Sequence, residues 1–262
     1  MTYELLVSTM HQEDDSLLER MHIQSDAIII NQCDRMDYRE VAWEGNRIRV
    51  FSFAERGVGL SRNTAWMRST ADIIEFADDD MIFADGYRER VLREFEVHPE
   101  ADAIIFSINS LNPNRPSHKI EAYKRVGRVD ARKYGGARLA VRRERLVHSN
   151  VCFSLLFGGG APYGAGEDTL FIKSMMDAGM KIYKSPVFVA DVKQSDSTWY
   201  SGRNDKFYFD KGALMAAMYP RLCRMGALVM AAAHAGPHPK EFFRVHRQYS
   251  RGIRSFKNRI KE

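Results

Sequence analysis

The chain has 262 residues, 45% of them hydrophobic, and a net charge of +5. That balance suits one sizeable globular domain with an appendage and excludes a disordered chain. The charge is local: residues 240–262 hold eight Lys/Arg and two Glu, so the rest is near neutral and general nucleic-acid binding is excluded.

Apolar runs alternate with helix-like stretches from the start. "YELLVST" (3–9), "AIIIN" (27–31), "RIRVFSF" (47–53), "DIIEFA" (72–77) and "DAIIFSI" (102–108) read as strands. "DDSLLERMHI" (14–23), "LSRNTAWMRST" (60–70) and "GYRERVLREFEVH" (86–98) read as helices, the last placing Val91, Leu92 and Phe95 on one face. Short strands that are apolar throughout, separated by helices, predict an α/β fold with a mostly parallel sheet covered on both faces.

A polar stretch (109–137) interrupts this rhythm and reads as a functional loop or a disordered insertion. Strands and helices return after it. From about residue 205 the sequence becomes helix-forming and increasingly basic, so we divide the chain into a catalytic-type domain, 1–204, and a helical extension, 205–262.

Four features carry possible chemistry. "EFADDD" ends a strand in Asp78, Asp79 and Asp80. In open α/β sheets ligands bind at the carboxyl ends of strands. Residues i and i+2 of an extended segment face one way, so Asp78 and Asp80 could flank one ligand or a hard cation. The plain alternative is a solvated acidic turn. "ERGVGLSRN" (55–63) leads into a helix with too few glycines for a dinucleotide fingerprint, yet Arg62 beside Asn63 offers a bidentate grip on phosphate or carboxylate. "GGGAPYGAGEDTLF" sets Glu167 and Asp168 at a helix start, where the macrodipole favours anions and ordinary capping is the plain reading. In the tail, Phe242, Val245, Tyr249, Ile253 and Phe256 recur at helical spacing among basic residues. Such a helix would lie on an anionic membrane or pack on the body.

Together, "GLSRN", "ADIIEFADDD" and "GAGEDTLF" resemble, in order and spacing, the family 2 glycosyltransferases of GT-A fold, over roughly residues 3–200. "STWYSGRNDKFYFDKGAL" (197–214) is similar to the C-terminal part of bacterial capsular and exopolysaccharide enzymes. The resemblance implies a Rossmann-like nucleotide-binding half, a nucleotide-sugar donor (UDP-linked by expectation) and a divalent cation, Mn²⁺ or Mg²⁺. It assigns Asp80 as the metal ligand with Asp78 beside it, and Asp78 and Asp79 near ribose and sugar. Thr9 and Asp34 would hold the nucleoside, with Gln32 as an alternative reader. Arg62 and Asn63 would serve the nucleotide or the acidic cluster. Asp168 would be the catalytic base, with Glu167 shaping the acceptor pocket. Where many relatives carry a late histidine, 190–199 offers Lys193, which would neutralise diphosphate.

A sugar nucleotidyltransferase, a non-catalytic nucleotide-binding protein and a glycoside hydrolase are the competing readings. The first usually carries a basic glycine-rich loop after the first strand, where "VSTMHQEDD" stands here. The longest apolar candidate for a membrane span is broken by Pro220, Arg221 and Arg224, and "MTYELLVSTM" lacks a basic signal-peptide opening. Cys33, Cys152 and Cys223 are far apart and odd in number, which suits a reducing compartment. The expectation is a cytoplasmic enzyme that visits the inner membrane face through 240–262 and acts on a glycan or lipid-linked acceptor.

Overall fold

The computed structural model describes residues 1–128, 130–194, 202–236 and 238–260. In chain order, β1 (Tyr3–Met10) leads to a short α1 (Ser16–Arg20), then β2 (Ala27–Gln32), β3 (Asp37–Trp43) and β4 (Asn46–Phe53). Next come α2 (Val58–Trp66), β5 (Ile73–Asp78), β6 (Met81–Phe83), α3 (Tyr87–Val97) and β7 (Ala103–Ser110). The chain continues through β8 (Lys124–Arg125), β9 (Leu139–Arg142), α4 (Arg143–Ser149), α5 (Glu167–Asp177) and β10 (Ile182–Val192). It ends in α6 (Asp205–Met218), α7 (Cys223–Ala235) and α8 (Pro239–Arg259).

All ten strands join one sheet, ordered β3-β4-β2-β1-β5-β9-β7-β10-β6, with β8 on β10. The first half is parallel as expected: β4, β2, β1 and β5 run together. The second half is mixed, because β9 inserts antiparallel between β5 and β7. Every residue of β2 is buried, which is why it reads as an unbroken apolar run. Two apolar layers cover the faces. One gathers Leu5, Val7, Ile29, Tyr87 and Phe95, the other Leu6, Ile28, Phe76, Phe153 and Phe171.

The edge strand β3 is absent from the sequence reading. Its residues are exposed or half-buried throughout, and only Val41 and Trp43 pack on the core, so "DYREVAW" carries too little apolar alternation to announce a strand. The expected helix over 14–23 shrinks to five residues, since only Leu17 and Leu18 pack inward from it.

Helices α6, α7 and α8 bury Tyr208, Ala216, Cys223, Ala227, Ala231, Val245, Tyr249 and Ile253 against one another. Gly212 lies on the Tyr249 carbonyl and Gly252 on the Phe209 carbonyl, so α6 and α8 meet backbone to backbone and a Cβ at either glycine has no room. A second cluster, Phe157, Tyr163, Ala213, Leu214 and Met218, joins α6 to the loop before α5, with Phe256 packed against it. This corrects the expected membrane insertion of Phe242, Tyr249, Ile253 and Phe256. Tyr249 and Ile253 are buried and Phe242 and Phe256 pack against the same cluster. Burying a side chain of this size contributes about 1.5–3 kcal/mol, which insertion would forfeit. No helix among the described residues is long and apolar enough to cross a membrane. Residues 195–201, which include the start of the "STWYSGRND" motif, lie outside the described residues.

Candidate active site

A cleft of about 540 Å³ opens at the carboxyl ends of β1, β2 and β5. Ser8, Thr9, Gln32, Arg62, Asp78, Asp79, Asp80, Glu167 and Asp168 all line it. Register explains the grouping. Ser8 of β1 pairs with Asp78 of β5, so the strand end and the acidic cluster are neighbours across one ladder. After Asp78 the chain turns into β6, so Asp79 and Asp80 occupy a turn rather than the extended run expected from the sequence.

Arg62 organises the site. It projects from α2, which begins at Gly57, and only 2% of its side chain is exposed. Its Nη1 pairs with Asp168 Oδ1, and its Nη2 donates to Asp78 Oδ1 at 2.8 Å. Glu167 lies 3.9 Å from the same Nη1. Burial pulls the guanidinium pKa down, but Asp168, Asp78 and Glu167 outweigh it and hold the group above its ordinary value. The planar fork can hold two carboxylates at once, which an ammonium cannot do. Arg62 Nε is buried without a hydrogen-bond partner in this arrangement.

Each carboxylate has a distinct environment. Asp79 accepts from Thr9 Oγ1 at 2.6 Å, and Gln12 Nε2 donates to Thr9 Oγ1 at 3.0 Å. Thr9 therefore braces the acidic turn from within. Desolvation, reinforced by the charges of Asp78 and Asp79, pushes the Asp80 carboxyl up to about 6. Burial, then the neighbouring charge of Asp168, pushes Glu167 up to about 7, with Arg62 opposing. Glu167 Oε2 also accepts from the Gly166 N–H at 3.0 Å, which folds its carboxylate back over the helix start.

The glycines around Asp168 are required by space. A Cβ on Gly136 would lie 2.5 Å from Asp168 Oδ1 and 3.1 Å from Arg62 Nη1. The polar stretch 109–137 thus ends as a wall against Asp168. Gly166, with φ at 118°, precedes Glu167, and a Cβ there would sit 2.6 Å from Leu214 Cδ1 of α6. Gly164 N–H donates to Asp210 Oδ2 at 3.0 Å, so α6 also holds the loop that presents Glu167 and Asp168.

Two expected ligand residues are placed elsewhere. Asn63 is buried and faces away from the cleft. Its Nδ2 donates to the Phe153 carbonyl at 2.9 Å and its Oδ1 accepts from Phe153 N–H at 2.8 Å, tying α2 to the 151–155 segment. Asp34 is exposed beyond the end of β2 and is not among the lining residues. Gln32 lines the cleft in its place, exchanging hydrogen bonds with the Gly57 backbone at 3.0 and 3.2 Å. Lys193 donates its backbone N–H to the Asp80 carbonyl at 3.0 Å while its neighbour Gln194 lines the cleft. Gly159 and Gly160 of the glycine loop also line it, as do Arg56 and Arg115, which the sequence reading did not single out. Arg115 sits inside the polar insertion, where only its charge could have marked it.

Among the described residues no group of three or more His, Cys, Asp or Glu is disposed to hold a metal by itself. Asp78 and Asp79 are engaged by Arg62 and Thr9, which leaves Asp80 as the crowded carboxylate without such a partner. This donor set fits a hard cation that takes one or two carboxylates and completes its shell with substrate phosphates and water.

Comparisons with known proteins agree with this architecture. Crystal structures of S. aureus TarS 1–349 superpose at 12% identity, covering 98% of this chain and 92% of that one. The TM-score is 0.62, and 0.64 for the complex with UDP-GlcNAc. The longer S. aureus TarS structure superposes with a TM-score of 0.60 over 97% of this chain and 55% of that chain, also at 12% identity. The fold is thus that of the GT-A glycosyltransferases. No curated protein sequence matches the chain. Residues 15–155, more than half the sequence, match the profile described as Glycosyl transferase family 2, from α1 through the acidic turn to the strand and helix that precede the glycine loop. The chain belongs to glycosyl transferase family 2.

Proposed function

We propose that the protein transfers a sugar from a nucleoside-diphosphate sugar, UDP-linked by preference, to a hydroxyl of a glycan or lipid-linked acceptor, with inversion at the anomeric carbon. The observation that carries this reading is the convergence of two distant acidic motifs on Arg62. Asp78 of the "DDD" turn and Asp168 of the "GED" helix start are held by the same guanidinium in the same cleft. The TarS complex with UDP-GlcNAc supports the choice of donor.

The residues divide the work. Thr9, Gln32 and Arg56 line the part of the cleft at the ends of β1 and β2, suited to the nucleoside. Asp168 accepts the proton of the attacking acceptor hydroxyl. Arg62 binds one of its oxygens and fixes the direction of the carboxylate, so positioning accounts for part of the rate. A carboxylate is a weak base, which suffices where proton transfer is late. Glu167, folded back over the helix start, bounds the acceptor side. Arg115 lines the cleft where it would meet the diphosphate. A divalent cation, Mn²⁺ or Mg²⁺, held by Asp80 with Asp78 beside it, would supply Lewis acidity to the leaving diphosphate.

The setting we infer is bacterial cell-surface polysaccharide synthesis of the capsular or exopolysaccharide kind, at the inner face of the membrane. The direct test is incubation with a panel of nucleotide sugars, with and without Mn²⁺, while following nucleoside diphosphate release and sugar transfer. Binding of nucleotide without turnover on any sugar or acceptor would favour the non-catalytic reading.

A further inference from the structure

Helix α7 is built inside out. The residues it buries are small: Cys223, Ala227, Ala231 and Ala235. Its large apolar residues face solvent, with Met225 60%, Leu228 47% and Val229 63% exposed, and Leu222 just before it at 58%. At helical spacing Leu222, Met225, Leu228, Val229 and Ala232 share one face. A helix serving only to close the three-helix cluster would turn those side chains inward.

The chemistry around this face is one-sided. Residues 211–240 contain no Asp or Glu, although the chain carries 34 of them. Arg221 and Arg224 stand exposed at the start of the helix. Lys257 of α8 reaches the same end, its Nζ donating to the Pro220 carbonyl at 3.2 Å. Two copies of the chain meeting on this face would bring together two cationic, carboxylate-free surfaces. An anionic bilayer answers both features, since acyl chains accept the apolar ridge and headgroups accept the cations. Position agrees as well. Met218 and Tyr219, just before α7, line a small groove with Thr169, the residue after Asp168. The start of the ridge therefore lies close to the helix that presents Asp168.

We propose that the exposed face of α7, with Arg221, Arg224 and Lys257, docks the enzyme on an anionic lipid surface, lying in the interface without crossing it. This deepens the transferase reading by naming the surface that brings a lipid-linked acceptor to Asp168. The docking itself requires no catalysis and is tested without it.

The test is co-sedimentation of the full chain with phosphatidylcholine vesicles and with vesicles of equal parts phosphatidylcholine and phosphatidylglycerol. Binding should require phosphatidylglycerol and weaken with salt. The double variant Leu228→Glu/Val229→Glu, which places charge at solvent-facing positions, should melt like the parent yet lose at least about tenfold in vesicle partitioning. Arg221→Ala/Arg224→Ala should weaken binding in the same direction. Equal binding to both vesicles, no binding to either, or unchanged binding by the glutamate variant would overturn the proposal. So would sedimentation velocity showing a dimer that the glutamate variant abolishes. Donor turnover on a water-soluble acceptor, measured separately, tells failure of the docking from failure of the transferase assignment.

Discussion

Arg62 and Asp168 are 106 residues apart in sequence, yet the guanidinium of one and the carboxylate of the other form a nearly buried pair at the floor of the cleft. Gly136 closes over that pair and Asp78 takes the second arm of the fork. The relationship makes Asp168 and the acidic turn one unit. Replacing Arg62 with Lys keeps a positive charge but supplies one point contact where two are made. We expect kcat to fall by about 10–100-fold with a smaller change in donor KM, because orientation of the base is lost rather than donor binding. A variant whose loss appears only in donor KM would place Arg62 on the nucleotide instead.

Asp168→Asn is nearly isosteric, can still accept from Arg62 and cannot take a proton. It should lower kcat by roughly 10²–10⁴-fold while nucleotide binding survives. Glu167→Gln is the informative partner. Glu167 is pushed up to about 7 by burial and by Asp168, so a large share of it is protonated at neutral pH and its amide should cost less. Rates that fall equally in both variants would show that the two carboxyls act as a coupled pair.

Asp80→Ala should abolish turnover while the fold persists, because in this reading Asp80 is the carboxylate that holds the cation, and its removal relieves crowding with Asp78 and Asp79. Excess chelator should do the same to the parent enzyme, with Mn²⁺ or Mg²⁺ restoring activity. Full turnover in chelator would remove the cation from the scheme. Nucleotide binding followed by calorimetry, with and without the cation, separates lost affinity from lost chemistry.

In the parallel half of the sheet β1, β2 and β5 were legible because they are buried on both faces and so read as apolar runs, while β4 was legible by its alternation of buried and half-buried residues. The acidic turn and the "GED" helix start were legible as candidates because unusual residues sit at element ends, and the fold brings them into one cleft. What escaped was what depends on the third dimension. Asn63 stands beside Arg62 in sequence, but one step along a helix turns a side chain by about 100°, so one enters the cleft and the other ties down Phe153. Asp34 lies two residues past Gln32, and only the end of β2 decides which of them reaches the cleft. The periodicity of α8 correctly marked an apolar face, but periodicity cannot say whether protein or lipid covers it. The small residues of α7 and the glycines of α6 and α8 decided that.

Glu75 gives a prediction about stability that is independent of the active site. It lies in β5, fully buried, with Oε2 accepting from Tyr3 Oη at 2.6 Å and Oε1 without a partner. Desolvation pushes its carboxyl up to about 7, against an ordinary 4.5, and the Tyr3 hydrogen bond opposes only in part. The sign follows from proton counting. Between about 4.5 and 7 the unfolded chain has released this proton while the folded chain keeps it, so stability falls as pH rises across that window. Above it the folded state carries a buried, poorly compensated charge, at a cost of roughly 3 kcal/mol from a shift of this size. Glu75→Gln keeps the shape and an acceptor for Tyr3 and cannot ionise. The variant should match the parent below the window and become progressively more stable than it as pH rises, levelling off above the window. Urea unfolding of both proteins across this range measures the difference directly. A stability difference that stays flat with pH would mean that Glu75 is already ionised in the folded protein, with its charge answered by groups other than Tyr3.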